Sequence, residues 1–179
     1  MAQFQAYSPS VLVNGQTVLA VVAGMGAFKS MAETLLEKQG IKNPTAAGWY
    51  PQQAWLNAFR DIAQGVGAKT LYQIGFSIPK SAKFPPGIGS IEQALESLDA
   101  AYHMNHRGGE IGHYLYAQAG KNQGAITCRN PYPCDFDRGL IEAMVARFKP
   151  AGSFPKVTHD AAKGCRAKQG DSCTYVISW

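Results

Sequence analysis

Residues 111–148 read IGHYLYAQAGKNQGAITCRNPYPCDFDRGLIEAMVARF, and this stretch decides the fold class. Residues 111–117 and 125–129 are short runs rich in aromatic and aliphatic side chains. They flank a turn from Gly120 to Gly124, the pattern of two strands joined by a hairpin. Pro131-Tyr132-Pro133 ends the second run. The period then changes: Phe136, Leu140, Ile141, Met144, Val145 and Phe148 form one stripe, which predicts a helix over residues 135–148. Residues 157–161 and 174–179 read as two more strands, with a turn at Lys168-Gln169-Gly170-Asp171. Two strands, a helix and two strands, preceded by helices, predict an α+β fold. Its amino-terminal helices pack on a carboxy-terminal antiparallel sheet with one crossing helix.

Working upstream, Ser90-Ile91-Glu92-Gln93 fits a capping box that opens a helix carrying Ile91, Leu95, Leu98, Ala101 and Tyr102 and ending by Gly108-Gly109. Residues 79–89 hold three prolines and two glycines, a long loop suited to the rim or lid of a pocket. Residues 68–76 and 26–39 read as helices. Trp49-Tyr50-Pro51 opens another, with Pro51 at its first position and Ala54, Trp55, Ala58, Phe59 and Ile62 on its apolar face. Asn14-Gly15 between residues 11–13 and 17–22 predicts a hairpin with a type I′ turn. The expected organisation is one domain over residues 1–179. Residues 1–89 form its helical part with an amino-terminal hairpin, and residues 90–179 supply a helix, the sheet and a further helix.

The chain has 179 residues and is 46% hydrophobic and 16% charged, which excludes a disordered protein. No apolar run reaches the 18 residues of a membrane span. Met1-Ala2-Gln3-Phe4-Gln5 carries no basic region ahead of an apolar stretch, so a leader is not expected and the compartment is read as cytoplasmic. The net charge is +5, but the basic residues are scattered, and nucleic acid is not the expected partner. There is no phosphate-binding loop, no nucleophile elbow and no H-E-x-x-H pair.

Four cysteines in a reducing compartment point to thiols or metal ligands rather than disulfides. Cys165 and Cys173 are symmetric about Gln169, so a hairpin would set them opposite each other. Two such thiolates suit Zn²⁺, with Cys128 as a third ligand and Cys134, His159 or Asp160 as the fourth. The alternative is four buried free cysteines acting as small apolar residues. Cys134, at the start of the helix over 135–148, is either a thiolate nucleophile or a structural position, and Asp135 and Asp137 oppose the thiolate. His103 and His106 lie three apart near a helix end and share a face, with His113 beyond. They can hold a metal, hydrogen-bond a ligand, or form a solvated helix end. Trp49, Tyr50, Trp55, Phe59, Tyr72, Phe76 and Phe84 either pack the core or line a cleft for a small ligand.

The segment from Cys165 to Cys173, followed by Thr174-Tyr175-Val176-Ile177, resembles the close of the 4-vinyl reductase domain. That superfamily also holds phenol-sensor domains, haem nitric-oxide-binding domains and subunits of the TRAPP transport particle. The resemblance implies a structural zinc on Cys165 and Cys173, with Cys128 as the earlier cysteine. The relatives' carboxylate position is Ala162 here, so His159, Asp160 or Cys134 must substitute. It also implies a small apolar or aromatic ligand held by His and Trp side chains. The candidates are His103, His106 and Trp55, with Tyr72 beside them. The Tyr-x-Ser-x-Arg motif of the haem-binding relatives is absent, and haem stays as an alternative with one histidine as axial ligand. The expectation is a stand-alone sensor module, homodimeric, with output through dimer contact or a protein partner. A thiol or metal-dependent enzyme is the other alternative.

Overall fold

The structure is a computed structural model that describes residues 3–179, so Met1 and Ala2 of the amino-terminal stretch lie outside the described residues. In chain order the elements are β1 (Leu12–Asn14), α1 (Gly15–Gly24), α2 (Lys29–Lys38), β2 (Trp49–Pro51), α3 (Gln52–Gly65), α4 (Ala68–Ser77), α5 (Ile91–Met104), β3 (His106–Arg107), β4 (His113–Gly120), β5 (Gln123–Arg129), α6 (Cys134–Phe148), β6 (Lys156–His159) and β7 (Cys173–Ser178). The fold is α+β. Strands β4, β5, β7 and β6 form one antiparallel sheet in that order. The connection between β6 and β7 is not a tight hairpin. It runs through two single turns, Ala161–Lys163 and Arg166–Lys168, and the ladder partner of Cys173 is Cys128 rather than Cys165.

The expected hairpin at Asn14-Gly15 does not form. Asn14 instead caps α1, its side chain accepting from the Thr17 N–H at 2.9 Å. The same Asn-Gly pair suits a helix cap as well as a turn. Gly15 is required by packing, because a Cβ there would fall 1.7 Å from the Thr45 carbonyl oxygen. Strand β1 finds its partners far along the chain, in the antiparallel order β2-β1-β3. Trp49-Tyr50-Pro51 is therefore a strand, and the helix behind it starts at Gln52. At α5 the Ser90 hydroxyl accepts from the Gln93 N–H (3.2 Å), while the Gln93 side chain accepts from the Gly89 N–H (2.9 Å).

Helices α4 and α6 pack closely because Gly75 and Gly139 stand at their contact. A Cβ on Gly139 would lie 2.1 Å from the Tyr72 carbonyl oxygen. The buried core runs continuously from the helices to the inner face of the sheet. Trp55, Phe59, Tyr132 and Phe136 form its aromatic centre, with ring centroids 4.6 to 6.2 Å apart. Among the described residues no single helix is long and apolar enough to cross a membrane.

Candidate functional site

Four elements converge on one small cavity. The apolar stripe of α3 brings Trp55, the last turns of α5 bring Ala101 and Tyr102, β4 brings Tyr114, and the run into α6 brings Tyr132 just before the helix and Phe136 in its first turn. The Pro/Gly loop closes one side with Ala82 and Phe84. The cavity has a volume of about 40 Å³. That is room for water or a diatomic molecule, against roughly 150 Å³ for a cavity that admits benzene.

Its polar wall is a buried relay. Gln52 Nε2 donates to Tyr132 Oη (2.9 Å), and Tyr132 Oη lies 2.5 Å from His106 Nε2. His106 Nδ1 lies 2.8 Å from the Tyr102 carbonyl oxygen. A carbonyl only accepts, so Nδ1 carries the proton and Nε2 accepts from Tyr132. Burial pushes the His106 pKa down to about 4, against the opposing hydrogen bond to Tyr102 and with repulsion from His103 adding to it. The imidazole is therefore neutral at pH 7. Trp55 Nε1 is buried with no hydrogen-bond partner. An orphaned buried donor costs about 1–3 kcal/mol, so a ligand acceptor placed there would recover that loss. Asn105 latches the loop: its Nδ2 donates to the Lys83 carbonyl (2.8 Å) and its Oδ1 accepts from the Lys83 N–H (3.1 Å).

A second constellation lies at the start of α6. Cys134, Cys165 and Cys173 bring their sulfurs together at 3.0 Å (134–173), 3.6 Å (134–165) and 4.0 Å (165–173). The edge of a tetrahedral site with Zn–S bonds of about 2.3 Å is roughly 3.8 Å. The trio fits a thiolate-bound ion in size and donor type. The Cys173 thiol is pulled down, most of all by the hydrogen bond it shares with Cys134, with the Arg166 backbone N–H also helping. The same hydrogen bond pushes the Cys134 thiol up. Gln3 Nε2 donates to Cys134 Sγ at 2.9 Å.

A buried ion pair joins the two places. Arg166 binds Asp137 of α6 and the Asn130 carbonyl, and both charged side chains are fully enclosed. Tyr114 Oη donates to Asp137 at 2.5 Å, so a residue of the cavity wall and the turn carrying Cys165 share one carboxylate. Burial pushes the Asp137 pKa up, against the pull of Arg166.

The other sequence candidates are placed elsewhere. His103 is half-exposed on the outer side of α5 and does not line the cavity, because the turn that carries Tyr102 inward carries its neighbour outward. Tyr72 lies on α4 and donates to Glu142 of α6 at 2.6 Å, away from the cavity. Cys128 is buried beside Cys173 in the ladder but outside the sulfur trio. His159 stacks on Tyr175, ring centroids 5.0 Å apart, and Asp160 caps the Ala162 N–H. Neither joins the sulfurs. Sequence reasoning missed Tyr132, Gln52, Asn105 and the Asp137–Arg166 pair. A tyrosine fixed between two prolines was the available signal for the first.

No family model matches the chain, and no curated protein matches it. Solved structures do. An H-NOX protein from S. oneidensis in the Fe(II)NO ligation state is 15% identical with a TM-score of 0.66, covering 92% of this chain and 98% of its own. A mutant H-NOX from T. Tengcongensis is 14% identical with a TM-score of 0.63, covering 90% and 94%. The K. algicida H-NOX protein, in the Fe(II) unliganded state, is 12% identical with a TM-score of 0.61, covering 92% and 95%. The chain thus has the fold of the H-NOX proteins.

The fold makes haem the group to test against these residues. A ligand of haem size needs a pocket of several hundred Å³, and Trp55, Tyr132 and Phe136 fill that space. Both ring nitrogens of His106 are already engaged. No lysine or arginine lines the cavity for a propionate, and the buried Arg166 is committed to Asp137 and Asn130. In this arrangement the residues do not fit haem.

Proposed function

We propose that the chain is a sensor module of the 4-vinyl reductase type, for a small, largely apolar ligand with one hydrogen-bonding end. The observation that carries this reading is an apolar cavity whose wall holds an unpartnered indole N–H and a neutral His–Tyr relay. The cavity is a closed form. A phenol-sized ligand enters when Phe84 and the loop swing out, which requires release of the Asn105–Lys83 latch. The ligand hydroxyl then accepts from Trp55 Nε1 and exchanges hydrogen bonds with Tyr132 and His106.

Cys134, Cys165 and Cys173 hold a zinc ion in this reading, with the Gln3 amide oxygen or a water in the fourth position. When bound, the ion supplies folding energy by tying α6 to the turn before β7. The chain's own residues set the site: Arg166 orients the turn through Asp137 and holds Cys173 as a thiolate. Ligand entry moves Tyr114 and Tyr132, and Asp137 carries that change to the cysteine turn. Output passes to a dimer contact or a protein partner in the cytoplasm.

A haem sensor is the second reading, favoured by the fold shared with the H-NOX proteins. It requires Trp55 and Tyr132 to vacate the cavity. Calorimetric titration of the untagged chain with phenol tests the first reading. Saturable binding is expected, weakened about tenfold by Trp55→Phe and by His106→Gln, the loss of one hydrogen bond of about 1.4 kcal/mol. Binding that both variants leave unchanged, or no binding to the native chain, refutes it.

A further inference from the structure

Three ligand-type side chains meet on the surface at the outer end of α5, away from the cavity and the sulfur trio. Asp99 and His103 are one turn apart on the helix, and His113 opens β4. One ligand atom from each lies within 4.8 Å of the other two. His113 Nδ1 is 3.3 Å from Asp99 Oδ1, and the two imidazole rings stand 5.2 Å apart. Asp99 is not a loose surface acid, because its Oδ1 accepts the Tyr114 N–H at 2.9 Å and is thereby held against the strand. His103 Nδ1 lies 2.9 Å from the Asp99 carbonyl oxygen. Nδ1 is also 3.7 Å from Asp99 Oδ2, and a proton held on Nδ1 leaves the ring's lone pair on Nε2.

We propose that Asp99, His103 and His113 form a second metal site, for a divalent ion that favours imidazole, such as Zn²⁺, Ni²⁺ or Cu²⁺. Two nitrogens and one carboxylate select these ions over Mg²⁺ and Ca²⁺, which prefer all-oxygen shells. Arg129 is the ladder partner of His113. The bound ion clamps the last turn of α5 to the first residue of β4. Those two elements deliver Tyr102 and Tyr114 to the cavity, so occupancy stiffens the wall through which a ligand would act. This site does not depend on the cysteines or on the ligand reading.

The test is a Zn²⁺ titration of the untagged chain, begun after one equivalent has been added to fill the cysteine trio, and followed by histidine side-chain NMR. The next equivalent should move the His103 and His113 signals and leave those of His106 and His159 in place. It should also raise Tm. His103→Ala and His113→Ala change exposed side chains and should keep the fold. Each should weaken the second ion about tenfold or more and abolish the Tm rise. If the cysteines take no metal, the first equivalent lands here and the same variants remove it. A second ion that binds equally in both variants, or none at all, overturns the proposal.

Discussion

Acidification should weaken the fold through His106, by an amount the structure allows to be worked out. In the unfolded chain this imidazole titrates near 6.5, and in the folded chain burial holds it at about 4. The folded pKa lies below the unfolded one, so no stability is lost through this group above about pH 7. As the pH falls through 6.5 the unfolded chain gains a proton that the folded chain refuses. The loss is about 2 kcal/mol between roughly pH 7.5 and 5.0, and about 3 kcal/mol once the pH passes 4. Asp137 works the other way, since its raised pKa makes the folded chain the better proton acceptor in acid. The native protein alone therefore gives a mixed slope. Urea unfolding of the native chain and of His106→Gln at the two pH values isolates the histidine. The variant should lose about 2 kcal/mol less than the native chain over that interval. Parallel pH dependences in the two proteins would refute the buried neutral imidazole and the relay built on it.

Cys165→Ser and Cys173→Ser should each lose the zinc that co-purifies with the cysteine trio and lower Tm, whereas Cys128→Ala should keep it, as elemental analysis of the three variants will show. Arg166→Met should cost about 3–5 kcal/mol in urea unfolding, because it leaves Asp137 buried and unpaired; adding Asp137→Asn should recover a large part of that loss. Gly139→Ala should destabilise by about 2 kcal/mol or more, since its Cβ meets backbone that cannot move aside cheaply, and thermal unfolding reads the effect. Asn105→Ala should speed phenol binding in stopped-flow fluorescence by releasing the loop, at a stability cost of about 1–3 kcal/mol.

The carboxy-terminal half was legible because its signals are local and agree with one another. The stripe from Phe136 to Phe148, the glycine turn between β4 and β5 and the strand after Cys173 all stand near where periodicity puts them. The amino-terminal hairpin failed because Asn14-Gly15 has two uses, and distant partners decided between them: β1 pairs with residues near 50 and 106. The same non-locality hid the sites. Nothing in the spacing tells Cys134, 31 residues before Cys165, from Cys128 as the sulfur that reaches the trio. Tyr102 and His103 are neighbours in sequence, yet one enters the core and the other faces water, an orientation set by which side of α5 meets the sheet. The Asp137–Arg166 pair was invisible because a charged residue in the first turn of a helix usually faces solvent. Here both charges are buried because each satisfies the other.

The most direct measurement is metal analysis with an absorption spectrum, on chain produced without an affinity tag and purified without chelator. One tightly held zinc per chain, lost from the cysteine trio in Cys173→Ser, and no Soret band are expected. A Soret band with stoichiometric iron, or a chain that holds neither zinc nor iron, would contradict it.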